Sequence, residues 1–365
     1  MTTSFNLDSL LRPDVQNMET YTPIVPFDVL SAQLGIAVED IIKLDANENP
    51  YGPSPLVRHA IAESPFMHSY PDPESRLLCE GLSTYTNVPV ENLMAGHGSD
   101  ELIDIIMRLF LEPGDQIINC PPTFGMYSFD AAINSGNVVT IWRKEDFMLD
   151  ISAIEAAMEH SSRVKLLFLA SPNNPTGLAL SKDEVKRLLN LPIVLIIDEA
   201  YAEFHTESFI EWVNEYPNLI VLRTFSKWAG LAGLRVGYGA FPLPIIEHLW
   251  KIKQPYNVNL SGQLAAQASL EDVDYLLENV QKILQTKKAL AEGLAKISWL
   301  QPYPSDANFI LCKVVGRDAF AVKNALAQQG ILIRHYATAG LEDHVRFSVG
   351  TDKETERLLT ALSTL

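Results

Sequence analysis

The sequence predicts an α/β protein, with a large domain whose mostly parallel sheet is covered by helices on both faces, joined to a smaller α+β domain. Three observations carry that expectation. Short apolar runs alternate with amphipathic stretches from about Leu93 to Ala240, as parallel strands joined by crossover helices require. The clearest runs each end in a polar or glycine-containing segment, and in open parallel sheets ligands bind at that edge. After Pro255 the pattern changes to a long helical region followed by strands and helices in mixed order. With 365 residues the chain has room for two domains: residues 1–45 as an amino-terminal arm with part of the small domain, 46–255 as the large domain and 256–365 as the small carboxyl-terminal domain.

In chain order, the first 40 or so residues are rich in proline and lack a strong period, so they pack on the small domain or reach a partner subunit. Gly96-His97-Gly98 reads as a turn feeding a helix over Ser99–Leu111, with Leu102, Ile105, Ile106 and Leu109 on one face and Ser99 as its N-cap. Strands are expected at Gln116–Asn119, Val164–Leu169, Ile193–Ile197 and Leu219–Leu222. Their carboxyl ends lead into Pro121–Gly125, Ser171–Gly177, Asp198–Tyr201 and Arg223–Lys227. Beyond Pro255 come a helical region over roughly Glu271–Ile297, the apolar run Asn308–Cys312, a helix near Ala319–Gln329, strands near Ile331–His335 and Val345–Val349, and a final helix.

Composition narrows the function classes. A net charge of −17, with no cluster of Lys and Arg, argues against nucleic acid or a membrane surface as partner, so an anionic substrate must be met by a few placed arginines. Cys79, Cys120 and Cys312 are widely spaced, without a Cys-x-x-Cys pair or a nearby His cluster, which favours a reducing compartment and no bound metal. No basic segment followed by an apolar one opens the chain, and no run of 18 apolar residues occurs, so a cytoplasmic protein is expected.

The chemistry concentrates in the stretch from Leu222 to Arg235, where Lys227 stands in an apolar, glycine-rich setting. Desolvation lowers the pKa of an ammonium and frees an amine nucleophile, whose natural use is a Schiff base. If the segment folds back, Thr224, Ser226 and Arg235 reach a common anion, which points to a phosphate-bearing aldehyde. Pyridoxal 5'-phosphate is that molecule. Asp198 ends an apolar run and is costly to bury unpaired. It reads as a loop carboxylate or as the partner of a protonated pyridine nitrogen, which keeps the ring cationic. Ser171–Gly177 is a turn by composition, yet its place after a strand brings Asn174 to the same edge, where both it and Tyr201 can donate to the cofactor's phenolic oxygen. Gly98-Ser99-Asp100 is either a structural cap or a set of N–H groups for a phosphate. Phe124 stacks on the ring or packs in the core. Arg346 presents a fork to a carboxylate or phosphate, or forms a surface ion pair.

Together these residues resemble the fold-type I pyridoxal-phosphate aminotransferases and, within them, the histidinol-phosphate aminotransferase family, nearly end to end. The resemblance is carried by Asn47-Glu48-Asn49-Pro50-Tyr51-Gly52, Tyr70-Pro71-Asp72-Pro73, Cys120–Tyr127, Ser171–Gly177, Asp198–Tyr201 and Thr224–Gly237, in order. It implies that Lys227 bonds the cofactor and shuttles a proton between substrate Cα and cofactor C4'. It also implies that Asp198 pairs with the ring nitrogen, that Asn174 and Tyr201 pair with the ring oxygen and that Phe124 stacks. The phosphate falls to Ser99, Asp100 through its N–H, Ser226 and Arg235, with Tyr70 of the partner subunit completing the site, hence an obligate homodimer. Arg346 matches the arginine that clamps the substrate's anionic end. The implied reaction moves an amino group between L-histidinol phosphate with 2-oxoglutarate and imidazole-acetol phosphate with glutamate, both partners of this ping-pong cycle being anions.

Departures from the family pattern are Phe124 where tyrosine is frequent, Trp228-Ala229 in place of Ala-Phe, and no arginine in Thr22–Leu34. Tyr21 and Arg334 are therefore candidates for the second side of the substrate phosphate. Competing readings are an aromatic amino-acid aminotransferase of the same family, a phospho-amino-acid decarboxylase on the same fold and a non-catalytic sensor, which turnover would separate.

Overall fold

The computed structural model describes residues 5–16, 18 and 26–365. Its strands are β1 (Ile42–Leu44), β2 (Leu93–Gly96), β3 (Gln116–Asn119), β4 (Asn137–Thr140), β5 (Val164–Ala170), β6 (Val194–Asp198), β7 (Leu219–Thr224), β8 (Gly237–Ala240), β9 (Leu300–Pro302), β10 (Phe309–Val314), β11 (Ile331–His335) and β12 (His344–Ser348). Seven form one sheet in the order β2-β8-β7-β6-β5-β3-β4, and five form a second in the order β1-β11-β12-β10-β9. Within the larger sheet only β8 runs against its neighbours, β2 and β7.

The buried apolar runs build this sheet because each offers both faces to a core. In β5, Leu166 and Phe168 join one cluster with Ile117, Ile196 and Ile220. Leu167 and Leu169 join the opposite cluster with Ile118, Leu195, Ile197 and Val221. The helices Gly98–Phe110 and Leu243–Ile252 cover the first face, and Lys182–Leu189 covers the second. In the smaller sheet β1 pairs in parallel with β11, so the end of the amino-terminal arm joins carboxyl-terminal strands.

Several expectations are corrected. The helix expected over Ser99–Leu111 begins at Gly98 with His97 as N-cap, because Gly98 adopts φ +76° and turns the chain directly off β2. Ser99 lies inside the first turn, and Glu101 accepts the His97 backbone N–H at 2.6 Å. Two helices, Leu260–Glu271 and Val273–Leu294, meet at Asp272; the second fills the helical region expected over Glu271–Ile297, and the first was not assigned from sequence. Asn259 starts the first by accepting the Gly262 N–H at 2.8 Å, and that helix lies against Pro55–Ala62 and Arg76–Thr86. β8 had no apolar alternation to announce it, since its sequence is Gly-Tyr-Gly-Ala. Among the described residues no helix is long and apolar enough to cross a membrane.

Candidate active site

The carboxyl ends of β2, β3, β5, β6 and β7 converge on one edge of the larger sheet, and the side chains expected to carry chemistry are distributed over the segments that leave them. β7 leads through Phe225 and Ser226 to Lys227, which is half-buried. Its Nζ donates to the Ala46 carbonyl at 3.0 Å and lies 6.0 Å from the centre of the Tyr201 ring. Burial, followed by the Arg346 charge, lowers the Lys227 ammonium to about 8, against the opposing pull of Glu48 and Asp100.

Asp198 closes β6 and is 4% exposed. Tyr127 Oη donates to its Oδ2 at 2.8 Å and the Ala200 N–H donates to its Oδ1 at 3.1 Å. Burial pushes the carboxyl up to about 6 even with those two hydrogen bonds opposing it. A carboxylate buried with neutral donors and no cation beside it is an incomplete pair. The N–H of a protonated pyridine would supply the missing partner, so the donor set fits pyridoxal phosphate.

Tyr201 is buried three residues beyond Asp198. Burial pushes its phenol up to about 12, and Asn47 Nδ2 donates to its oxygen at 2.9 Å. Asn174, half-buried after β5, accepts from Arg346 Nη1 through Oδ1 at 2.5 Å, which leaves its Nδ2 as a donor. Phe124 is half-buried and meets Tyr127 edge-on at 5.6 Å, so its ring is not spent in the deep core.

Three candidate phosphate ligands, Ser99, Asp100 and Arg235, come together at the amino end of the helix Gly98–Phe110. Ser99 lies in its first turn, and Arg235, at φ +56°, donates to the Asp100 carboxylate at 2.8 Å. Asp100 was expected to contribute its backbone N–H, whereas here its side chain also neutralises the arginine. Ser226 Oγ accepts from Thr224 Oγ1 at 3.0 Å and is buried. Gly237 lets this helix end approach β8, since a Cβ there would stand 2.4 Å from the Ser99 nitrogen.

Arg346, on β12, is buried rather than in a surface ion pair. Its Nη2 donates to the Asp45 carbonyl at 2.5 Å, and its guanidinium lies 5.2 Å from the Phe309 ring. Arg334 stands directly opposite Arg346 in the antiparallel β11–β12 register, so the two share one face of the sheet. Tyr70 is 82% exposed and stacks on Tyr256 at 4.6 Å. Tyr21 lies outside the described residues.

Three contributors had no role assigned from sequence. Tyr127 supports Asp198, and its signal was a tyrosine in the first turn of a helix after the Pro-Pro turn. Arg223 Nε donates to Glu199 at 2.9 Å and its Nη2 to Ser208 at 2.7 Å, which ties the Asp198–Tyr201 loop to the end of β7. Asn47 joins Tyr201 to β12, a contact between residues far apart in the chain that no local pattern announces.

Comparison with known proteins agrees in extent as well as kind. The family profile for aminotransferase class I and II matches residues 39–362. Histidinol-phosphate aminotransferase of Roseiflexus castenholzii is 51% identical over 365 residues, spanning 98% of both chains. The chloroplastic histidinol-phosphate aminotransferase 1 of Arabidopsis thaliana is 49% identical, over 97% of this chain and 85% of its own. The crystal structure of histidinol-phosphate aminotransferase from Sinorhizobium meliloti, in complex with pyridoxal-5'-phosphate, superposes with a TM-score of 0.88 at 30% identity, over 98% of this chain and 97% of that one.

Proposed function

The chain belongs to the class I and II aminotransferases and, within them, to the histidinol-phosphate aminotransferase family, and from that we propose how its residues work. It is an aminotransferase of histidine synthesis that exchanges an amino group between L-histidinol phosphate and 2-oxoglutarate, giving imidazole-acetol phosphate and L-glutamate. The observation that carries the reading is the Lys227 amine, desolvated at the end of β7 and facing the Tyr201 ring, with Arg346 close enough to depress its pKa.

Pyridoxal 5'-phosphate, when bound, supplies an aldehyde for an amine and a cationic ring that accepts the electron pair released from the substrate Cα–H bond. Asp198 holds the pyridine nitrogen protonated, and Asn174 and Tyr201 donate to the ring oxygen. The Gly98–Phe110 helix end, with Ser99, the Asp100 N–H, Ser226 and Arg235, binds the phosphate, and Phe124 covers the ring face. Lys227 would hold the cofactor through its amine and, once freed by the substrate, would carry a proton from the substrate Cα to the cofactor C4' carbon. Arg346 receives the anionic end of either substrate, with Arg334 beside it on the same sheet face. Tyr70 of the partner subunit completes the phosphate site in a homodimer, which accounts for so exposed a tyrosine. A cytoplasmic setting belongs to the same proposal and keeps the three buried thiols, Cys79, Cys120 and Cys312, reduced.

A substrate panel tests the reading. Histidinol phosphate is expected to bleach the visible band of the purified holoenzyme and 2-oxoglutarate to restore it. A band that ignores histidinol phosphate and responds to phenylalanine assigns the chain to aromatic amino acids instead.

A further inference from the structure

Asn47 is 1% exposed and adopts φ +55°, a left-handed conformation that asparagine tolerates better than most residues. All its polar groups are engaged. Its backbone N–H donates to Ser348 Oγ at 2.9 Å, and Ser348 Oγ returns a hydrogen bond to Asn47 Oδ1 at 2.8 Å. Asn308 Nδ2 donates to the Asn47 carbonyl at 3.1 Å. With Oδ1 taken by Ser348, the amide can turn only Nδ2 toward Tyr201, and it does so at 2.9 Å. A phenol oxygen that accepts from behind must send its own hydrogen elsewhere.

We infer that Asn47 is a positioning residue for the transamination: anchored to β12 through Ser348, it fixes the Tyr201 hydroxyl as a donor toward the cofactor's ring oxygen. The inference rests on the cofactor assignment above and extends it to the residue behind the Tyr201 phenol. Ser348 lies two positions from Arg346 on β12, so the same strand carries the substrate clamp and the anchor of the phenol. The preceding Ala46 carbonyl receives the Lys227 amine, and one short segment thereby sets lysine and tyrosine together.

Donation to the ring oxygen draws negative charge away from the neighbouring protonated nitrogen that joins Lys227 to the cofactor, and so makes that nitrogen more acidic. The experiment is a spectrophotometric pH titration of the visible band of the holoenzyme, with cofactor retention on dialysis as a second measurement. Two variants keep a residue that tolerates positive φ. Asn47→Asp offers only acceptors, so it turns the phenol hydrogen back toward position 47, and Asn47→Gly removes the donor without adding charge. Asp198, Lys227, Arg346 and Tyr336, the titratable groups around the phenol, stay the same.

Each variant is made alone and with Tyr201→Phe, which closes a double-mutant cycle. Asn47→Asp is expected to raise the titration midpoint by about one pH unit, a tenfold change in proton affinity, and Asn47→Gly to raise it by less. In the Tyr201→Phe background neither is expected to add a shift. No shift in either single variant overturns the inference, as does a shift that persists undiminished without the Tyr201 hydroxyl, because the substitution then acts on the lysine directly. Should Asn47→Asp not fold, the Asn47→Gly cycle decides by the same criterion. A wild-type protein that takes up no pyridoxal phosphate sinks the cofactor assignment itself, an outcome distinct from unchanged titrations in a yellow protein.

Discussion

At the scale of single residues, burial does most of the chemical tuning. Asp198 has a folded pKa of about 6, above its ordinary 3.8, so its contribution to stability is present below 3.8 and lost as pH rises through 6. At pH 7 the cofactor-free protein therefore carries a buried charge without a cation. Asp198→Asn removes that charge, and the cofactor-free variant is expected to gain about 1–3 kcal/mol by denaturant titration at pH 7 while the loaded enzyme loses at least about a hundredfold in turnover. A variant less stable than the parent at that pH contradicts the unpaired-charge account. Lys227 runs the other way: its folded pKa of about 8 lies below 10.5, so the neutral amine appears at moderate pH. Capture of added pyridoxal phosphate by cofactor-free protein should accelerate as pH passes up through about 8. A midpoint near that of free lysine would mean that the amine is solvated. The desolvation of a lysine in an apolar run was legible for this reason, since it is written into neighbouring residues. Tyr127 and Asn47 were not, because a hydrogen-bond partner reached across the fold leaves no mark on the local sequence.

At the scale of elements, the four central parallel strands of the larger sheet, β3, β5, β6 and β7, were legible, whereas its edge strands β2 and β4 and its antiparallel β8 were not assigned. β3 and β11 lie where the apolar runs put them, and β5, β6 and β7 differ by a residue or two at their ends. Buried central strands must be apolar on both faces, a requirement that shows in any window of sequence. β8 meets a different requirement, close approach. A Cβ at Gly237 would lie 2.4 Å from the Ser99 nitrogen and 2.6 Å from the Gly98 carbonyl carbon, both backbone atoms that cannot swing aside. Gly237→Ala is expected to displace the amino end of the Gly98–Phe110 helix, costing about 1–3 kcal/mol and weakening cofactor retention at least about tenfold. Dialysis followed by absorbance measures the second effect, and full retention would remove that helix end from the phosphate site. The N-cap was misassigned from sequence for the same reason, since Ser99 resembles a cap until the glycine before it makes the turn.

At the scale of the whole molecule, the segment that carries Tyr70 is exposed. Tyr70 is 82% accessible, and Phe66 and Met67 beside it are 64% and 56% exposed, a run of apolar surface that we propose a second copy of the chain covers. In the proposed dimer Tyr70→Phe loosens cofactor retention about tenfold without changing the sedimenting mass, the loss expected of one hydrogen bond to a charged group. Unchanged retention would count against a phosphate contact from the partner subunit. We propose likewise that the two sheets mark two domains. The contacts of Asp45, Ala46 and Asn47 with Arg346, Lys227, Tyr201 and Ser348 cross between them, so domain position and site geometry are set by one segment.

By itself the sequence determined the fold class, the desolvated setting of Lys227 and the loops that carry Asp198, Asn174 and Tyr201, because periodicity, apolar runs and turn composition act over neighbouring residues. Tertiary structure alone decided how those groups are oriented: Tyr127 behind Asp198, Arg346 behind Asn174, Asn47 behind Tyr201. Such hydrogen bonds join residues up to 172 positions apart, and which donor meets which acceptor follows from the packing of two sheets.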